Sequence, residues 1–146
     1  GTGTENHAFL WINGSMEDLG TLSGGGTSVA YGMNDAGDVV GISSSAPGGP
    51  NRAFLWRKGV MTDLGALGGA NRESIAFDIN SAGQIVGEST TTDARQHAFV
   101  WQEGAMIDLG TLEGHLGSAA RAISETGLIV GESSVSPTSP VLWSPR

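Results

Sequence analysis

His7-Ala8-Phe9-Leu10-Trp11 returns as Arg52-Ala53-Phe54-Leu55-Trp56 and again as His97-Ala98-Phe99-Val100-Trp101. The step is 45 residues both times. Asp18-Leu19-Gly20, Asp63-Leu64-Gly65 and Asp108-Leu109-Gly110 keep that step, and Val40-Gly41, Val86-Gly87 and Val130-Gly131 follow with a one-residue slip. A period of this size marks a repeat architecture in which one supersecondary unit stacks on its neighbours. Counted from the aromatic pentapeptide, the repeats run 7–51, 52–96 and 97–139 within a single repeat domain, 1–146. Residues 140–146 open a fourth copy.

Turn chemistry and apolar alternation divide each unit into four short strands. The first is Ala8 to Trp11. A two-residue turn follows at Asn13-Gly14, Lys58-Gly59 and Glu103-Gly104, of which Asn-Gly is a strong type I′ hairpin signal. The second strand is Met16 to Leu19, with counterparts Met61 to Leu64 and Met106 to Leu109. After a glycine-bearing connection, the alternation of Val29, Tyr31 and Met33, and of Ile75, Phe77 and Ile79, predicts the third. Asn34-Asp35-Ala36-Gly37 fits a type I turn closed by glycine, and Val39 to Gly41, Ile85 to Gly87 and Ile129 to Gly131 form the fourth. Ser118 to Ile123 has alanine-rich helical propensity, but its sister copies predict a strand there. The total is twelve strands plus a thirteenth at Val141-Leu142-Trp143.

The fold class expected is therefore all-β. Four-stranded antiparallel units of this length suit β-propeller-type blades, three repeats per chain; three units also suit a β-trefoil or β-prism. Glycine supplies 24 of the 146 residues, as a turn-rich chain requires. With 15 acidic against 7 basic residues the net charge is −8, a balance that repels nucleic acid and anionic lipid. No apolar run approaches the ~20 residues of a membrane helix. Cysteine is absent, which removes disulfides and thiolate metal sites. The opening GTGTENHAFLW has no basic or apolar leader pattern, as in the mature part of an exported protein.

HAFLW, the MxDLGxLxG stretch, the AxxIN-like strand and the GxVVG strand, in that order, resemble the HAF-repeat family of bacterial proteins. The likeness covers nearly the whole chain. It implies an extracellular or cell-surface setting and a propeller-like arrangement, and it carries over no catalytic residues. Arg52 stands in place of the histidine, Arg121 in place of the aromatic of Tyr31 and Phe77, and Ser124 in place of Asn34 and Asn80.

Trp11, Trp56, Trp101 and Trp143 are expected as packing residues, the competing role being sugar-stacking platforms. Asp18, Asp63 and Asp108 are expected to accept backbone N–H bonds in the adjoining turn, the competing role being acid/base or metal chemistry. His7 and His97 lack a third ligand because Arg52 takes the middle position. His115 is expected in a solvated loop. No GxSxG elbow is present, Gly24-Gly25-Gly26 lacks the strand–helix context of a phosphate loop, and Asn13-Gly14-Ser15 is sufficiently explained as a turn. No cofactor, metal or catalytic residue is expected. The function anticipated is a non-catalytic scaffold or binding module whose variable loops, Ser43 to Asn51, Thr90 to Gln96 and Val135 to Ser139, meet a protein or glycan. The alternatives are a lectin with one shallow site per repeat, or an enzyme with acidic residues gathered at a central channel. Because open sheet edges invite pairing, a homodimer completing a six-bladed ring is the expected assembly.

Overall fold

A computed structural model describes residues 5–24 and 26–135. Twelve strands appear where the repeat places them. The first unit supplies β1 (Ala8–Ile12), β2 (Ser15–Gly20), β3 (Ser28–Met33) and β4 (Val39–Ser44). The second supplies β5 (Asn51–Arg57), β6 (Val60–Asp63), β7 (Ser74–Ile79) and β8 (Ile85–Thr90). The third supplies β9 (Gln96–Gln102), β10 (Ala105–Gly110), β11 (Gly117–Ile123) and β12 (Ile129–Ser134). Ser118 to Ile123 is strand, so register outweighs alanine's helical propensity there. The thirteenth strand, Val141 to Trp143, lies outside the described residues.

The sheets are not the sequence units. Among the described residues, two four-stranded antiparallel sheets have the orders β3-β4-β5-β6 and β7-β8-β9-β10, while β1-β2 and β11-β12 are two-stranded. Each complete sheet thus joins the last two strands of one repeat to the first two of the next. This corrects the expectation that the aromatic strand begins a sheet. The reason lies in the pairing: β4 runs antiparallel beside β5 from Val39↔Trp56 to Ser44↔Asn51, and β8 beside β9 from Ile85↔Trp101 to Thr90↔Gln96. The variable loop is therefore a hairpin connection inside a sheet, and the glycine-bearing connection after Asp-Leu-Gly carries the chain from one sheet to the next.

Local chemistry supports each strand. Asn13, Lys58 and Glu103 have φ of 52°, 49° and 50°, each followed by a glycine at positive φ, as a type I′ hairpin demands. The glycine after the paired valine-type residues has a different cause. A Cβ on Gly41, Gly87 or Gly131 would stand 1.9, 1.8 or 1.9 Å from the carbonyl oxygen of Val29, Ile75 or Ala119. That carbonyl is pushed forward by a β-bulge, in which Tyr31, Phe77 and Arg121 are the extra residues skipped by the ladder. A bulge bends its strand and re-aims a side chain. The glycine is its steric complement on the partner strand.

The sheets pack face to face in chain order, with one apolar cluster at each contact. Leu19 of the first half-sheet lies with Val39, Phe54 and Trp56 of the next sheet. Leu64 lies with Ile79, Ile85 and Phe99 one sheet further on. Val86, Ala98 and Val100 meet Ala120 and Ile123 of the last half-sheet.

Serines stitch adjacent sheets together. Ser28 Oγ accepts the Ala8 N–H at 2.8 Å and donates to the Gly20 carbonyl at 2.6 Å. Ser74 and Ser118 repeat this with Ala53 and Gly65, and with Ala98 and Gly110. Ser43, Ser89 and Ser133 accept the N–H groups of Leu22, Leu67 and Leu112. Backbone groups leaving a sheet would otherwise be orphaned in the interior.

Candidate binding surface

The three repeated aspartates lie on the β1-β2, β5-β6 and β9-β10 hairpins. Each accepts the N–H of the glycine two residues on: Gly20 at 2.8 Å, Gly65 at 2.8 Å and Gly110 at 2.7 Å. Each also meets the residue that opens its repeat. His7 Nδ1 lies 2.9 Å from Asp18 Oδ2, Arg52 Nη1 3.2 Å from Asp63 Oδ1, and His97 Nδ1 2.9 Å from Asp108 Oδ2. The first pair shifts both partners. The bond to Asp18 raises the His7 pKa above the ordinary imidazole value, and the bond from His7, helped by the Gly20 N–H, lowers that of Asp18.

Arginine and histidine both meet the aspartate across the hairpin, and Arg52 also donates to the Gly69 and Ala70 carbonyls. The spacing of 11 residues between partner positions was the available signal, and looking at each residue type alone missed it. Asp18, held as an anion by its bond from His7, is a poor proton donor. The three stand on different sheets.

The tryptophans share a register position, opposite Met16, Met61 and Met106, but not an environment. Trp56 is 7% exposed and Trp101 is half-buried, whereas Trp11 is 62% exposed. The expectation of packing residues fails at Trp11, which among the described residues has no sheet lying over it; Trp143 lies outside the described residues. His115 is half-buried with its Nδ1 shielded, not solvated, since the Thr111 hydroxyl donates to the His115 carbonyl and folds the loop inward.

The bulge residues form a column of their own. The Tyr31 and Phe77 ring centroids are 5.7 Å apart, and the Arg121 guanidinium lies 4.5 Å from the centre of the Phe77 ring. Arg121 donates to Glu132 at 3.1 Å from Nε and 2.5 Å from Nη2. Burial pushes the Glu88 carboxyl up, the charge of Arg121 opposing the rise and that of Glu132 adding to it. Its Oε2 has no hydrogen-bond partner. Asparagine amides tie the neighbouring turns: Asn34 Nδ2 donates to the Asn80 carbonyl at 3.2 Å and Asn80 Nδ2 to the Ser124 carbonyl at 3.0 Å. Ser124 has no amide with which to continue the series.

Antiparallel connectivity sorts the loops between two ends. The tight turns at 13–14, 34–37, 58–59, 80–83 and 103–104 share one end. The variable loops and the glycine-bearing connections share the other. There, Pro50, Asn71, Arg72, Glu73 and Thr90 help line an open groove of about 520 Å³. Asn71 and Glu73 are exposed, and Arg72 is fixed by donating to the Thr92 carbonyl at 2.9 Å. No family model matches the chain, and searches of curated proteins and of solved structures return no match either.

Proposed function

We propose that this chain is a non-catalytic β-repeat scaffold or binding module whose sheets are blades of a propeller. Its loop end receives a protein or glycan partner. The observation that carries this reading is the groove bounded by Pro50, Asn71, Glu73 and Thr90, where the most variable connections converge on one end of a sheet stack. Two exposed side chains there have polar atoms to offer, and rigid strands hold the loops that bear them. The extracellular setting belongs to this proposal through the likeness to HAF-repeat proteins.

A glycan array combined with affinity capture from a cell-surface extract tests the reading. Saturable binding that falls on Asn71→Ala and Glu73→Ala, with the thermal transition unchanged, supports it. Binding that survives both substitutions, or hydrolytic turnover of any array glycan, overturns it.

A further inference from the structure

Two sheet-to-sheet contacts in the stack are built from the same register positions with opposite chemistry. Ile42, Glu88 and Glu132 are equivalent, standing opposite Val29, Ile75 and Ala119 in their ladders. Tyr31, Phe77 and Arg121 are equivalent too, as the bulge residues of β3, β7 and β11. Where β3-β4-β5-β6 meets β7-β8-β9-β10, the first set supplies Ile42 and the second Phe77. Where β7-β8-β9-β10 meets β11-β12, they supply Glu88 and Arg121. Both positions thus change from apolar to charged at the same contact.

Strand alternation puts Glu88 on the face of Val86, which packs with Ala120 and Ile123 of β11. The side chain is half-buried, and its Oε2 is shielded from solvent with no hydrogen-bond partner among the described residues. Ionising a carboxyl in such a place is costly. Its ladder neighbours Ile75 and Ala98 bear no charge. Asp78 of β7 accepts the Ile123 N–H, and His97 of β9 is engaged with Asp108. The charges acting on Glu88 are Arg121 of β11, which favours ionisation, and Glu132 of β12, which opposes it. Arg121 donates from Nε and Nη2 to Glu132 and lies over the Phe77 ring. One guanidinium therefore serves two carboxylates, and only Glu132 holds it by hydrogen bonds.

We infer that Glu88, Arg121 and Glu132 form a proton-operated latch at the contact between β8 and β11. With Glu88 protonated, Arg121 stays on Glu132 and Phe77, and the two sheets close. When Glu88 loses its proton to solvent, its carboxylate draws the guanidinium away from Glu132. The contact then opens more readily, because two carboxylates divide one cation and a buried anion short of a partner is destabilising. The first contact has no such device, since isoleucine and phenylalanine do not titrate. The latch needs only β7, β8, β9, β11 and β12, all within the described residues, and it does not rest on the binding role proposed above.

The direction with pH follows from burial. It raises the Glu88 pKa above the ordinary carboxyl value, so the neutral form supports the contact fully below that value. The support is lost as pH climbs through the folded midpoint. Each pH unit between the two midpoints corresponds to about tenfold in the opening equilibrium.

An NMR titration of the side-chain carboxyls in the 146-residue chain is the first test, and it should place the Glu88 midpoint above 4.5. Glu132→Gln should lower that midpoint, by removing a like charge and freeing Arg121, whereas Arg121→Gln should raise it. The Phe77 ring resonances should move at the Glu88 midpoint as the guanidinium shifts. Hydrogen exchange gives a second reading at the Ala98 amide, which stands opposite Glu88 and bonds across the contact to Ser118 Oγ at 2.8 Å. Above the Glu88 midpoint this amide should exchange at least about tenfold faster in the unaltered chain than in Glu88→Gln at the same pH. Below 4.5 the two should agree. Glu88→Ile, which restores the residue of the first contact, should remove the pH dependence likewise. A Glu88 midpoint at or below 4.5 would overturn the inference. So would shifts of the same sign in the two charge variants, a Phe77 ring indifferent to the Glu88 midpoint, or equal Ala98 exchange with and without Glu88. If a variant does not fold, the midpoint and the ring resonances of the unaltered chain still decide.

Discussion

The complete inner sheets and the half-sheets at the two ends are built from the same motif yet have opposite surroundings. Phe99 and Phe9 occupy equivalent positions in equivalent strands, and among the described residues only the first has a sheet to lie against. A repeat specifies its own strands and the faces they present. Burial is conferred by the neighbour, so the same residue is core in one copy and surface in another.

Truncating the two phenylalanines should break that equivalence most plainly. Phe99→Ala should cost about 3–5 kcal/mol, the usual range for a buried aromatic. Phe9→Ala should change stability by less than about 0.5 kcal/mol when measured by urea denaturation at high dilution. Equal losses would mean that the terminal half-sheet is already covered in the single chain.

The bulge-facing glycines sharpen the contrast, because the steric demand is identical and the support differs. Gly87→Ala brings a Cβ into the Ile75 carbonyl inside a complete sheet, and overpacking of that severity should cost about 3 kcal/mol globally. Gly131→Ala meets the Ala119 carbonyl as closely, but in a two-stranded sheet. Hydrogen exchange should therefore show local loss of protection in β11 and β12, with the global transition little moved.

A smaller effect is expected at the stitching serines. Ser74→Ala leaves the Ala53 N–H and the Gly65 carbonyl unsatisfied between two complete sheets and should cost about 1–3 kcal/mol. Ser133→Ala removes the acceptor for a Leu112 N–H in an exposed setting, where water replaces it, and thermal melts should show a shift of only a degree or two.

The smallest effect distinguishes the β1-β2 and β5-β6 hairpins by pH. The His7 pKa is raised on folding, so its contribution is complete below the ordinary imidazole value and fades as pH climbs through the folded value. Asp18 is lowered, so its contribution is present above the ordinary carboxyl value and is lost as pH falls through the folded one. The first hairpin is thus held best between those limits. The Arg52–Asp63 hairpin keeps its cation as pH rises, since guanidinium does not deprotonate in proteins. An NMR titration should place the His7 midpoint above 6.5, and Asp18→Asn should return it toward that value.

Much of this was legible in the sequence because it is local. Asn13-Gly14 dictates its hairpin, alternation dictates the strands, and the sister copies make Ser118 to Ile123 a strand against its own propensity. The residue opening each repeat and the aspartate 11 positions on were both visible, but only cross-strand pairing of β1 with β2, and of its counterparts, reveals them as one unit. Ser28, Ser74 and Ser118 also recur visibly. Their role needed the neighbouring sheet, which supplies the N–H and the carbonyl that each hydroxyl joins.

By itself the sequence determined the period, the twelve strands, their turns and the faces they offer, since each depends on residues within a few positions of one another. Only the tertiary structure decided where a sheet begins. The strand after the variable loop pairs backwards onto β4 or β8, and a periodic chain reads the same from any starting point. That half-repeat offset is settled by hydrogen bonds between repeats, β4 with β5 and β8 with β9.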